Sequence, residues 1–432
     1  MPAATRTTYP ELFRIPTFPR LASSVVLART ANAMMQLALV LFVLQRFHSP
    51  TLAGLTVFLA IAPGIAVSPI AGALLDRHGR VRLIILDYTV GALSLLLIAG
   101  LDAAGRLTPA VLLPIVTVGA LTYSLSNSGA RSLLPLIVPN RLWDRANALD
   151  SMAYAVTGAA GPALAGGLTA GFGPRVALLT AAAIYIAAAL ALSGLAEPVS
   201  RGATTSVLAD ARDGLLYVVV RNASLRGLAI VVSLINVGFG ILIVALPVMI
   251  FQRVHGDAAL VGELWALLGL GSALSVFFFG RYSSEGRERL MMGVATLASG
   301  AGMGVLALTG NVLVAAAAMA FLGLANGPAD IALFSMRQRR TDPAWYGRAF
   351  AVSMSLNFAG TPLGSAISGP LIHVGLTLAI GVAAAFLLIA AVLTPLLIPK
   401  TAGYKIDGES ARQSRRDRPV EESPSSAEQG AG

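Results

Sequence analysis

The sequence predicts an all-α integral membrane fold of twelve transmembrane helices, arranged as two pseudo-symmetric six-helix bundles. Three observations carry this expectation. Hydrophobic residues make up 56% of the 432 residues and charged residues only 12%, against roughly 25% charged in ordinary soluble domains. No soluble fold of this size hides that much apolar surface. Apolar stretches long enough to cross about 30 Å of hydrocarbon recur along nearly the whole chain, separated by short charged loops. Runs such as Leu93 to Ala99 do not alternate apolar with polar residues, which excludes a closed β-barrel and leaves helices as the only spanning structure. Finally, local motifs return at a fixed offset. Gln45-Arg46-Phe47-His48 recurs 207 residues later as Gln252-Arg253-Val254-His255, and Gly79-Arg80-Val81-Arg82-Leu83 recurs at the same offset as Gly286-Arg287-Glu288-Arg289-Leu290.

Taken in order, residues 1–20 hold Arg6, Arg14 and Arg20 without an apolar core, and read as a cytoplasmic tail before an uncleaved first helix, not as a signal peptide. Residues 21–196 form the first bundle and residues 227–398 the second. Asn127 and Ala130 correspond to Asn326 and Ala329, and Arg145-Ala146 to Arg348-Ala349, so the repeat continues through the spans as the loops change length. Six spans per copy is an even number, so the copies run in the same direction about an axis along the membrane normal. Between them, residues 197–226 form a linker. There Leu208, Leu215 and Val219 fall at helical spacing while Asp210, Arg212, Asp213 and Arg221 stay polar; this fits a helix on the inner membrane surface or a solvated linker with a helical stretch. Residues 399–432, polar and charged from Lys400 on, are expected to be disordered.

The net charge of +10 is a topology signal. Of the 31 Lys and Arg residues, 25 fall in the tails and loops of one face; Arg46, Arg106, Arg175 and Arg253 lie on the other, and Arg29 and Arg131 lie in or at the edge of spans. This asymmetry places both termini in the cytoplasm of a cell with an inner membrane, and the partners expected are the lipid bilayer and a small molecule, not nucleic acid. The chain has no cysteine, so no disulfide or thiolate metal site exists, and no metal site is expected. ATP coupling within the chain is excluded as well: a phosphate-binding loop needs Gly-Lys-Ser/Thr, and the only lysines are Lys400 and Lys405. A membrane enzyme would need clustered acid, base or nucleophile groups, but His48, His78, His255 and His373 fall at span ends on separate loops.

The sharpest motif is Gly72-Ala73-Leu74-Leu75-Asp76-Arg77-His78-Gly79-Arg80-Val81-Arg82, between the second and third spans. It resembles the loop signature of the major facilitator superfamily, in which a glycine, three residues, Asp-Arg, a glycine and basic residues follow in turn. Gly72 permits close helix packing, Gly79 a tight turn, and Asp76 can face the positive end of a neighbouring helix. The resemblance implies that this partner is the start of the eleventh helix, near Gly347 to Ala349, and that Gly72, Asp76, Arg77, Gly79, Arg80 and Arg82 gate the cytoplasmic side. In the fifth span Gly158, Gly161, Pro162, Gly166 and Gly167 resemble the superfamily's antiporter signature, with one extra residue before the glycine pair; simple helix packing is the alternative. The stretches Leu134 to Pro139, Arg145 to Leu149 and Arg77 to Asp87 are similar to the branch of macrolide-efflux and siderophore-export proteins. The chain departs from that branch at Asn32 and Val90, where relatives often carry Asp and Arg.

Charges within the hydrocarbon cost a few kcal/mol and invite a functional reading. Arg29 lies deep in the first span, Asp87 nearer the cytoplasmic end of the third, and Arg131 and Asp330 occupy equivalent places in the fourth and tenth with opposite sign. Arg131 and Asp330 are expected either to pair across the halves when the cytoplasmic side closes, or to pair separately within their own halves. The resemblance implies that the first, fourth, seventh and tenth spans line a cavity, which makes Asn32, Gln36, Tyr123, Asn127, Asn236, Phe239, Phe321 and Asn326 the expected lining, though Asn and Gln also serve as glue between helices. The function implied is export of a small amphipathic molecule, drug-like, macrolide-like or siderophore-like, by a monomeric secondary transporter. A proton gradient, and no cofactor, is expected to drive it. An importer or lysolipid flippase on the same fold is the alternative, and a membrane-embedded enzyme a remote one.

Overall fold

A computed structural model describes residues 9–195, 207–342 and 345–400. Its helices, in chain order, are α1 (Tyr9–Phe13), α2 (Phe18–Phe47), α3 (Pro50–His78), α4 (Arg80–Ala103), α5 (Pro109–Ile137), α6 (Trp143–Phe172), α7 (Pro174–Leu192), α8 (Val207–Leu216), α9 (Ala223–Met249), α10 (Ala258–Phe279), α11 (Glu288–Leu308), α12 (Val312–Arg339), α13 (Tyr346–Phe358), α14 (Gly360–Val374) and α15 (Leu376–Leu397). Ten are long and apolar enough to cross a membrane. The twelve spans are completed by α6, whose first turns carry charge, and by the eleventh span, which breaks at Ala359 into α13 and α14.

Chain reversals follow from local chemistry. Proline opens α3, α5 and α7, where its missing N–H costs nothing. His48 and His255 close the first and seventh spans in the left-handed conformation, at φ 51 and φ 57, and among the described residues no other non-glycine residue has positive φ. They are the histidines that the 207-residue offset pairs. Ser49 and Asp257 then cap the next helices by accepting from the N–H of Leu52 and Leu260.

The packing repeats as the sequence does. In the first bundle α2 packs on α6 and α7, α3 on α5, and α4 on α5 and α7; in the second, α9 packs on α14 and α15, α10 on α12, and α11 on α12 and α15. Replacing each helix by its repeat partner, with α14 standing for the eleventh span, turns the first set into the second. Between the bundles the seams are α3 against α14 and α6 against α10.

One face of the molecule, the terminal face, carries both ends of the described chain. On the opposite face the bundles are sealed. Leu37 through Leu44 of α2 are all buried, as are Val244 through Met249 of α9, and a helix buried all round has protein on every side. The seams there are backbone-close. A Cβ on Gly54 would collide with the carbonyl of Ser365, and one on Gly166 with the carbonyl of Ala258. Toward the terminal face the same central helices become partly exposed, so a cavity opens on that side.

Two boundaries differ from the sequence expectation. The tail is structured from Tyr9: Leu12 is buried with Phe18, Val138, Leu142 and Ala146, Glu11 pairs with Arg141 at 2.8 Å, and α2 begins at Phe18 with a proline in its first turn. The second bundle begins at Ala223, capped by Asn222, whose side chain accepts from Leu225 N–H at 3.0 Å. In the linker, α8 runs into a π-helical turn, Tyr217–Arg221, and packs against α3 and α13, while Leu215 and Val219 stay exposed. Tyr217 stacks on Trp345 with ring centroids 5.0 Å apart, and Asn222 donates to the Arg340 carbonyl at 2.7 Å. Residues 401–432, the tail expected to be disordered, and residues 196–206 of the linker lie outside the described residues.

Candidate functional site

The cavity lies between the central helices of the two bundles. On α5, Tyr123, Asn127 and Arg131 follow one another at four-residue steps, which sets them on one helix face, and all three are exposed. On α12, Asn326 and Asp330 stand in the same relation, with Asp330 exposed. Asp330 and Arg131 take part in no ion pair or hydrogen bond among the described residues, and no side chain bridges them. On α2, Gln36 donates to Asn32 Oδ1 at 3.0 Å and Asn32 donates to the Tyr185 hydroxyl at 3.4 Å. The Tyr185 ring lies 6.1 Å from that of Tyr88, so a polar strand runs from the cavity edge into the first bundle. On α9, Asn236 donates to the Asn357 carbonyl at 2.9 Å, which makes it glue to the eleventh span, and Phe239 packs against the main core. Phe321 does not belong with these residues. It lies nine residues, two and a half turns, from Asp330, hence on the opposite face of α12, and its ring meets the position a Cβ on Gly302 of α11 would take.

The intramembrane charges divide into paired and unpaired. Arg29 is held by Asp150 of α6 at 2.8 Å, donates also to the Asp150 carbonyl at 3.0 Å, and sits over the Tyr154 ring at 5.5 Å. Asp87 is 6% exposed, lies beside the hydroxyls of Ser126 and Thr122, and has no ion pair among the described residues. Sequence reasoning missed three further sites. Asp102 is buried and accepts from Arg46 at 2.7 Å and Arg175 at 2.6 Å, tying the ends of α2, α4 and α7 on the sealed face. Arg253, the repeat partner of Arg46, makes the matching tie with neutral acceptors: the Ala307 carbonyl at 2.7 Å and the Thr377 hydroxyl at 2.6 Å. Arg337 is 1% exposed on α12, flanked by the rings of Phe334 and Phe350 at 5.5 and 5.0 Å. The only signal for any of these was an arginine beside a span end.

The glycines of the fifth span serve two different surfaces. Gly161 meets Ala33 and Met34 of α2, Gly166 meets Ala258 and Gly262 of α10, and Gly158 and Gly167 face open space. Pro162 sits inside α6 without ending it. In the loop motif, Gly79 adopts φ 88, and Arg80 is nearly buried and donates to Ser132 Oγ at 3.1 Å, fastening the start of α4 to the end of α5. Arg77 and Arg82 are exposed. The expected contact of Asp76 with the start of the eleventh helix, and the packing of Gly72, fall on positions outside the described side chains.

Twelve spans in two parallel repeats, enclosing a polar and aromatic cavity sealed at one end, define a secondary transporter of the major facilitator type, and not an enzyme. The chain belongs to the transmembrane secretion effector family of that superfamily, whose model matches residues 11–421. It is 38% identical to the MFS-type transporter y4rN of Sinorhizobium fredii over 91% of this chain and 98% of that one. It is 29% identical to the multidrug efflux pump Tap of Mycolicibacterium fortuitum over 80% of this chain and 87% of that one. Among solved structures, a bacterial homologue of the human lysosomal transporter Spinster, in an inward-facing and unoccupied conformation, superposes with a TM-score of 0.72 at 16% identity, covering 90% of this chain and 98% of that one; this likeness concerns the fold.

Proposed function

We propose that the protein exports a small amphipathic molecule from the cytoplasm by alternating access, in exchange for protons. The observation that carries the reading is a cavity with unpaired Arg131 and Asp330 on symmetry-related helices, open on the terminal face and sealed on the other. Assigning the terminal face to the cytoplasm follows from the arginine asymmetry, and the state seen is then the one that loads from inside. Similarity to an efflux pump supports the outward direction. In the opposite state the terminal ends of α5 and α12 approach, which brings Arg131 to Asp330 and neutralises both in a closed, low-dielectric gap. Asp87 and Asp330, carboxyls that meet no cation in the loading state, are the groups we assign to carry protons through the cycle.

The test uses everted membrane vesicles and ethidium as probe. Respiring vesicles containing the protein should accumulate ethidium, and nigericin, which collapses the pH gradient, should abolish the accumulation. Accumulation confined to right-side-out vesicles would overturn the direction; accumulation indifferent to nigericin would overturn the proton coupling.

A further inference from the structure

The two seams between the bundles end differently at the terminal face, and from this we infer that the ligand enters sideways, out of the cytoplasmic leaflet, through a portal between α6 and α10. The inference deepens the export reading and rests on it for the orientation and use of the cavity; its ligand is an amphiphile dissolved in the membrane, not a solute drawn from water.

Near the sealed face both seams are equally close, as the glycine contacts show. Farther along, α3 and the eleventh span still touch where the hydroxyls of Ser68 and Ser355 stand 3.4 Å apart, and beyond that point α8 packs against both α3 and α13. The linker thus fills one mouth. At the other seam the glycine contact nearest the terminal face sets Gly269 of α10 against Ala159 of α6. Seven residues are two helical turns, so Met152 and Val276 continue the two facing surfaces. Yet Met152 is 59% exposed and Val276 42%, and their neighbours Val156 and Phe277 are 60% and 62% exposed. Among the described residues no element covers them.

Depth identifies what fills the gap. Val276 and Phe277 lie within the stretch of α10 long and apolar enough to cross the membrane, so the opening faces acyl chains and is lined by Met, Val and Phe, side chains that accept an apolar body of variable shape. Arg281, one turn beyond Phe277 and 4.4 Å from its ring centroid, marks the rim at headgroup level, where a polar end would stay wet. An amphiphile can therefore slide its apolar part between α6 and α10 toward Tyr123 and Asn127 without leaving the bilayer.

Two measurements test this. The chain has no cysteine, so bimane can be placed singly at Val156→Cys, Val276→Cys and, in the closed seam beside Ser68, Ser355→Cys. Lipids brominated on the acyl chain should quench the first two and spare the third; quenching of the first two by aqueous iodide alone would mean a water-filled gap and overturn the portal. In everted vesicles, the methyl and dodecyl esters of one rhodamine cation serve as probes. The double variant Val156→Trp/Val276→Trp should slow the dodecyl ester at least about fivefold while leaving the methyl ester within about twofold. Equal slowing of both, or of neither, overturns the portal. If wild type moves neither ester but brominated lipid quenches as expected, the export reading falls and the lipid-filled opening stands.

Discussion

Arg131 and Asp330 illustrate how a charge in a membrane protein earns its place. Neither meets an opposite charge among the described residues, because the ends of α5 and α12 that carry them border the open mouth. Reversing one sign alone replaces the attraction of the closed state with repulsion, and leaving one buried charge uncompensated costs about 3–5 kcal/mol. Arg131→Asp and Asp330→Arg should therefore each cut ethidium export at least about tenfold, while the double swap, which restores opposite signs, recovers most of it; the initial rate in everted vesicles reads this. A double variant no better than the singles would remove the pair. Asp102 works by another route. It holds three helix ends at once, and since Arg46 and Arg175 are 45% and 47% exposed, water takes over part of their solvation when it is lost. Asp102→Ala should cost about 1.5–3 kcal/mol, the worth of hydrogen bonds to a charged group, read as a lower melting midpoint of the detergent-solubilised protein. An unchanged midpoint would show that the three ends are held by packing alone.

Helix α6 shows that one motif can divide its work by face. Gly161 lets α2 approach and Gly166 lets α10 approach, whereas a Cβ at Gly158 or Gly167 would touch nothing within 4 Å. Gly161→Val and Gly166→Val should thus abolish export, by splaying the first bundle and by opening the sealed face respectively, and Gly158→Ala and Gly167→Ala should leave it unchanged. Loss of export in all four variants would give the motif a role beyond close packing. Which glycine faces which helix is not written in the spacing of the motif, because it depends on where α6 sits between α2 and α10. Phe321 is a second case: aromatic character made it a cavity residue on paper, but half a turn decides between cavity and outer surface, and only the seating of α12 on α10 and α11 fixes that half turn. Arg29 is a third, since its partner Asp150 is 121 residues away and is brought near by the packing of α2 on α6. What the sequence did reveal, the spans, their number and the doubling, came from properties that survive without knowing any helix rotation: hydropathy, the arginine asymmetry and a repeated offset. The left-handed histidines 48 and 255 show how faithfully that offset maps onto backbone.

For the molecule as a unit, the packing pattern implies rigid-body rocking. Contacts within each bundle are extensive and repeat-symmetric, while the bundles meet chiefly along two seams, α3 against α14 and α6 against α10, with a lesser contact of α9 on α2 and α3. Opening the sealed face separates the glycine contacts of the seams and unpacks the core that Leu37 to Leu44 share with Val244 to Met249, while the ties at Asp102 and Arg253 stay intact inside their own bundles. Two single cysteines report on the two ends. Asn127→Cys lies in the open cavity; Ser368→Cys is fully buried beside Gly54 in the closed seam. With the terminal face in the cytoplasm, a membrane-impermeant maleimide should label Asn127→Cys in everted vesicles and leave Ser368→Cys untouched from either side at rest. When the pH gradient and ethidium drive turnover, the fraction of molecules open on the other face rises, so labelling at Asn127→Cys should fall as labelling at Ser368→Cys from the external side rises, in proportion, because one rotation governs both. Labelling that rises at both positions together would mean that each end breathes independently, and rocking of two rigid bundles would have to be abandoned.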